Sequence, residues 1–201
     1  MLAALELFST REYDEVTVAE IAERAGVSTR TFFGYFRSKE DVLFADTRTR
    51  TEHALRSMAE RVPGESPVDM LVRAVRDALL SAQPLSADPG PSVHDLHGIR
   101  LRLNRSSPQV QAAVMRRLQE TQVLLSRSLL RAFPERLTGL EASALVGAFV
   151  GAAVNAVLFG LAEDPDLPDA ARVSSDAVDV VRHRLQELDR PDGRAAQREG
   201  P

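Results

Sequence analysis

Apolar residues recur every three to four positions in segment after segment of this 201-residue chain, the spacing of helices that each bury one face. The pattern predicts an all-α protein of about nine helices. Leu2, Ala3, Leu5, Leu7 and Phe8 mark the first. Thr17 with Glu20 three residues on has the form of a capping box, so a second helix is expected to start there. Ile21, Ala22 and Ala25 give it one apolar face, Gly26 suits the left-handed residue that ends a helix, and Val27 is expected as a buried plug in the turn. Ser28 caps a third helix in which Phe32 and Phe36 face inward, leaving Thr29, Arg30, Thr31, Phe33, Gly34 and Tyr35 toward solvent or a partner. Two short helices across such a turn are a helix-turn-helix.

A fourth helix, with Ser38 as cap, Glu40 and Asp41 in its first turn and Val42, Leu43 and Phe44 packing, is expected to run to about Arg61 as a connector. "VPGESP" breaks the chain at 62–67, and Ser66 with Pro67 opens a fifth helix to about Gln83. "PLSADPGPS" at 84–92 reads as loop, "DLHGIRLRLN" as a short sixth helix, and Ser107-Pro108 as the start of a long seventh. The seventh carries a core stripe of Val110, Val114, Leu118, Thr121, Leu125, Leu129 and Phe133. The eighth, Glu141 to about Ala162, has no charge from Ala142 to Ala162, which is near the roughly 20 apolar residues of a membrane span. Acidic flanks, a central Asn155 and the absence of a second such segment favour a buried helix of a soluble fold. Gly147 and Gly151 would let another backbone approach closely, which suggests a dimer bundle, with Val178, Val181 and Leu185 of a ninth helix (about Pro168 to Leu188) at the same interface. The organisation expected is a DNA-binding unit at 1–46 with its connector, a ligand-binding and dimerisation domain at 62–189, and a disordered tail at 190–201.

Composition changes this picture little. At 44% hydrophobic the chain can form a real core, and without cysteine it has neither disulfides nor thiolate metal sites, which fits a cytoplasmic location. Its start has no basic region or cleavage site of a secretory signal. A net charge of −4 argues against nucleic acid until its distribution is followed: Arg24, Arg30, Arg37 and Lys39 occur with no acid between them, whereas the acids Glu12, Asp14, Glu15, Glu20 and Glu23 precede them. Basic charge collects on the third helix and its exit.

"AALELF", "TVAEIAERAGVS", "TFFGYF" and "SKEDVLF" together resemble the DNA-binding domain of the tetracycline-repressor (TetR) family of bacterial regulators, over about the first quarter of the chain. The resemblance implies a homodimer that binds a palindromic double-stranded operator and is released from it by a small-molecule inducer, with no membrane partner, no cofactor and no catalysis. It also implies that Thr17 touches phosphate, that Ser28, Thr29, Arg30 and Thr31 lie near base edges, and that Tyr35 and Lys39 hold the backbone; arginine can read guanine through a bidentate pair. Three positions depart from the family pattern. Phe33 replaces a phosphate-binding tyrosine, leaving ring packing against the sugar; Gly34 stands where a larger residue is usual; and Met1 lies only two residues ahead of the first motif.

"TFFGYFRSKEDVLF" is similar to the subgroup with acyl-CoA-like ligand-binding domains. Arg100, Arg102, Arg105, Arg116 and Arg117 occur with no acid between Leu96 and Gln119; they could hold phosphates while Leu101, Val114 and Leu118 line a tail pocket, or they could form a solvated face or pair with a neighbour. An amphipathic anion such as an acyl-CoA is the inducer expected on the first reading. Asn155 could bond the ligand or a dimer mate, with a satisfied buried amide as the plainer role. His94, Asp95 and His97 have ligand spacing, but nothing completes a metal site; His53 and His183 suit the surface. The contrasting possibility is a helical small-molecule-binding protein or enzyme without specific DNA binding. No nucleophile elbow, phosphate-binding loop or metalloenzyme motif supports catalysis.

Overall fold

The computed structural model describes residues 1–80, 93–164 and 170–188, the side chains of 93–97, 161, 170 and 188 excepted. All regular structure in them is helical. A first unit comprises α1 (Leu2–Thr10), a 3-10 turn at Tyr13–Glu15, α2 (Val18–Arg24), α3 (Thr29–Tyr35) and α4 (Lys39–Leu43). Next come α5 (Ala45–Ala59), α6 (Pro67–Leu80), α7 (Val93–Ser106), α8 (Pro108–Ala132), α9 (Gly139–Glu163) and α10 (Ala170–Leu188). Loop 84–92, the 190–201 tail and the His94, Asp95 and His97 side chains lie outside the described residues.

The described residues form ten α-helices rather than nine because the expected fourth helix breaks at Phe44 (φ −118°, ψ 19°). The Phe44 ring is buried, with the Arg100 and Arg117 guanidinium groups 5.2 and 5.5 Å from its centroid. The backbone turns there, so α4 belongs to the first unit and α5 to the second. Ser38 sits at the cap position of α4, but its hydroxyl accepts no helix amide; the Asp41 amide donates to the Ser38 carbonyl instead.

Two hydrophobic cores hold the molecule. In the first, Ala4, Leu5, Phe8, Val16, Ile21, Ala22, Phe32, Val42 and Leu43 pack with Ile99 and Leu103 of α7 and Val110 and Ala113 of α8. The core therefore crosses the boundary drawn at residue 46. The second joins α5, α6, α8, α9 and α10 around Met58, Met70, Leu71, Leu129, Val146, Phe149 and Val178.

Ion pairs fix the second unit at its edges. Arg73 donates to the Ser57 and Glu60 carbonyls at 2.5 and 3.1 Å, closing the C-terminal end of α5, and pairs with Glu65 at 2.7 Å. Arg76 pairs with Asp179, and Arg182 with Asp69, both at 2.5 Å, which ties α6 to α10. A second capping box, Thr138 with Glu141, starts α9 two residues earlier than the apolar run alone suggests.

α9 is long and apolar enough to cross a membrane, and it is not buried all round as the sequence led us to expect. One face, with Ala142, Val146, Phe149, Val150 and Ala153, packs into the second core; the opposite face is open.

Candidate nucleic-acid interface and its supporting helices

The helix-turn-helix forms by the local chemistry its sequence encodes. The Thr17 hydroxyl accepts from the Glu20 amide at 3.2 Å, and the Glu20 carboxylate accepts from the Thr17 amide and hydroxyl, each at 2.8 Å. Arg11 donates to the same carboxylate at 2.7 Å. These bonds, with Arg11 the largest contributor, hold the Glu20 carboxyl down at about 2. At the other end Gly26 takes φ +68°, its amide donates to the Glu23 carbonyl, and the Val27 amide donates to the Ala22 carbonyl at 2.9 Å. That is the Schellman pairing, and it explains why Val27 is not a buried plug: its backbone closes α2 while its side chain is exposed.

Ser28 accepts from the Thr31 amide at 3.0 Å and starts α3. Phe32 is buried and Phe36 half-buried beneath it, so Thr29, Arg30, Thr31, Phe33, Gly34 and Tyr35 all face outward. Tyr35 and Phe33 are 79% and 56% exposed, a large aromatic exposure that no described residue covers. A Cβ at Gly34 would meet nothing within 4 Å, so space in the fold is not what calls for glycine there.

Lys39 lies elsewhere. Its ammonium donates to the carbonyls of Tyr13 and Val16 at 2.6 and 3.0 Å and sits 3.8 Å from the Tyr13 ring centroid. Burial lowers its pKa, against the pull of Asp14 and Glu40. The Tyr13 hydroxyl donates to Glu40, and burial followed by that carboxylate raises the Tyr13 pKa.

The arginine run is largely committed to the first unit. Arg100 donates to the Leu43 carbonyl at 2.5 Å and pairs with Asp46; Arg102 donates to the Phe8 carbonyl and lies 3.6 Å from Glu12; Arg117 pairs with Asp41. Three of the five therefore link α7 and α8 to the helix-turn-helix unit and its exit, where a ligand phosphate would have to displace a carboxylate or carbonyl. Arg105 and Arg116 are exposed. Leu101, Val114 and Leu118 are half-buried, Val114 against the first core and Leu118 against the second, so the expected lining residues do not share one cluster.

Asn155 is exposed on the open face of α9, not a satisfied buried amide and not turned inward to a ligand. Gly147 and Gly151 belong to that face as well, since a Cβ at either would meet nothing within 4 Å. Val178 is fully buried in the second core, and Ser174 of the same helix is buried with its hydroxyl donating to the Ala153 carbonyl at 2.9 Å. Val181 and Leu185 are half-buried against the second core. The open residues that sequence reasoning missed are Leu140, Phe159 and Val180, at 81%, 70% and 61% exposed. Counting in steps of three and four from Gly147 and Gly151 reaches Leu140 and Phe159, a signal the glycines themselves supply.

A helix-turn-helix with an outward aromatic and arginine face is mounted here on a larger helical bundle. Residues 1–45 match the family model of bacterial regulatory proteins, tetR family. Over those residues the chain is similar to that family. The transcriptional regulator TcmR of Streptomyces glaucescens is 33% identical over 124 residues, which cover 62% of this chain and 54% of TcmR. The match thus spans about half the length of that relative. MftR of Mycobacterium tuberculosis is 24% identical over 185 residues, covering 92% of this chain and 89% of its own. Among solved structures, the transcriptional regulator FadR of Bacillus subtilis in complex with stearoyl-CoA superposes with a TM-score of 0.55 at 18% identity, over 89% of this chain and 93% of that one. This last likeness is one of fold.

Proposed function

We propose that this chain is a homodimeric DNA-binding transcriptional regulator, a repressor that leaves a palindromic operator when a small molecule binds its C-terminal helices. The observation that carries the reading is the outward face of α3, where Arg30, Phe33 and Tyr35 are exposed on a helix whose inward side is anchored by Phe32. Arg30 takes the base-reading role, Thr29 and Thr31 flank it near base edges, and Tyr35 takes a phosphate. Thr17 and Ser28 have hydroxyls engaged in caps, which leaves their oxygen lone pairs and the helix N-terminal amides to approach phosphate. Two such helices in successive major grooves lie roughly 34 Å apart, which requires a dimer. The open small-residue face of α9 supports that assembly, and a regulator of this kind works in the cytoplasm.

For the effector, FadR is the fold neighbour with a bound molecule, stearoyl-CoA, and acyl-CoAs are therefore the first class to screen. Arg100, Arg102 and Arg117 do not add to that reading, since their guanidinium groups are paired within the chain. A coupling of about 1–3 kcal/mol between effector and DNA is enough for release, a five- to hundredfold change.

The test is a gel shift with duplexes from beside the coding sequence. Arg30→Ala and Tyr35→Ala should each weaken the sequence-specific shift and leave the dimer intact in sedimentation. Unaltered shifts by both variants would remove α3 as the reading element. An acyl-CoA panel that changes neither thermal stability nor DNA affinity would remove that effector class.

A further inference from the structure

A polar layer lies between the two cores. On α5 the apolar positions of the second core begin at Ala54, and ahead of them, toward Phe44 of the first core, come Asp46, Arg50 and Thr51. α7 adds Arg100, and α8 adds Arg117 and Thr121. Shared partners bring them together: Arg50 and Arg100 both pair with Asp46, the Arg100 and Arg117 guanidinium groups flank the Phe44 ring, and the Thr51 and Thr121 hydroxyls are 3.2 Å apart.

Most of these groups are answered within the layer. Asp41 takes Arg117, and Asp46 with the Leu43 carbonyl takes Arg100. The Thr51 hydroxyl gives its proton to the Thr47 carbonyl at 2.9 Å, so Thr121 donates to Thr51. Arg50 is the exception. Its side chain is only 22% exposed, yet its guanidinium makes no hydrogen bond to any described residue, and its Nε is buried without a partner. Its ion pair with Asp46, at 3.2 Å, is to a carboxylate that Arg100 already holds. Burial lowers the Arg50 pKa, opposed by Asp46 and reinforced by Arg100. Five N–H donors placed between two apolar cores without an acceptor are destabilising, so packing alone gives no reason for an arginine here.

We propose that Arg50 is a binding residue, the cationic seat for the carboxylate of a small amphipathic acid whose apolar body lies toward the second core. A carboxylate supplies the acceptors that the guanidinium lacks. Leu55, one turn beyond Thr51, and Leu118, one turn before Thr121, border the layer on the side of the second core and are partly buried against it. A bare inorganic anion would lose its hydration there and gain no apolar contact. The proposal rests on the effector reading above and narrows it, because a coenzyme thioester carries no charge at its acyl end.

Titration calorimetry on the full chain tests it, with octanoate, octanol, inorganic phosphate and octanoyl-CoA as probes. Octanoate should bind, and the other three should bind more weakly. Arg50→Met should weaken octanoate roughly ten- to hundredfold, the share of a hydrogen bond to a charged group. Without ligand this variant should melt no lower than the wild type, since Asp46 keeps Arg100 and an ill-satisfied buried cation is gone. Arg116→Met, which removes an exposed arginine of α8, should change neither quantity.

No octanoate binding, equal binding of any of the other probes, or an octanoate affinity that survives Arg50→Met would overturn the proposal. An Arg50→Met chain that melts lower or fails to fold also overturns it, because Arg50 is then a structural partner of Asp46. Should the wild type show no sequence preference for DNA, the regulator reading fails by itself, and the calorimetry still decides on Arg50.

Discussion

Two faces of this molecule are left open by its own packing, and they differ in kind. On α3 the open positions are arginine, threonine, phenylalanine and tyrosine; on α9 they are leucine, glycine, alanine, asparagine and phenylalanine, with Val180 beside them on α10. The first presents hydrogen-bond donors, a cation and aromatic rings. The second presents small side chains at helical spacing and little that is polar. A donor-rich face gains most from a polyanion, whereas a smooth apolar face gains most from burying a like face against it. On the proposed reading, the first face takes DNA and the second takes another copy of the chain.

The comparison is broken most severely by filling the smooth face. Gly151→Arg places a long cation where a Cβ meets nothing within 4 Å, so the subunit itself should be no less stable, arginine being the better helix former by roughly 1 kcal/mol. Sedimentation velocity should nevertheless show a monomer, and the operator shift should be lost. A dimer that survives would place the interface elsewhere.

The footing of the other face comes next. Leu103→Ala should cost roughly 2–5 kcal/mol in urea unfolding and reduce DNA binding while the α9 face still assembles, since Leu103 is fully buried in the core beneath the helix-turn-helix. Equal damage to assembly and DNA binding would merge the two regions into one. Smaller again is Arg30→Ala, expected to remove about 1–3 kcal/mol of discrimination at one base pair in competition binding and to leave thermal stability unchanged.

The smallest effect is acid-driven. Glu20 titrates at about 2 instead of 4.5, so its ion pair and cap contribute stability that is fully present above about 4.5 and is lost as pH falls toward 2. Between pH 6 and 8 it should cause no change. Side-chain carboxylate shifts followed by NMR should give that low midpoint, and a value near 4.5 would deny the Arg11 contact.

What could be read in the chain was what lies within about four residues of its partner. Thr17 with Glu20 and Gly26 with its preceding turn are of this sort, and both helix ends formed as their spacing implied. Thr138 with Glu141 carries the same signal and was hidden by the longer apolar run that follows it. The contacts that could not be read have partners far away in sequence: Arg100 finds Asp46, Arg117 finds Asp41, and Lys39 finds Tyr13 and Val16. No spacing rule reaches across such distances. An arginine run with no acid inside it left an anion site open beside a solvated or paired face, because the acids that Arg100 and Arg117 pair with are on other helices. Phe44 broke a helix for the same reason, its ring held by guanidinium groups from α7 and α8.

Ile99, Leu103, Val110 and Ala113 reach from α7 and α8 into the core beneath α1 to α4. Anyone building a hybrid sensor from this chain therefore cannot cut at residue 46 and graft the head onto a foreign body. The head carries its missing floorboards in the other half of the gene, and a workable transplant must bring the lower part of α7 and the first turns of α8 with it, or supply apolar side chains of matching shape in the new host.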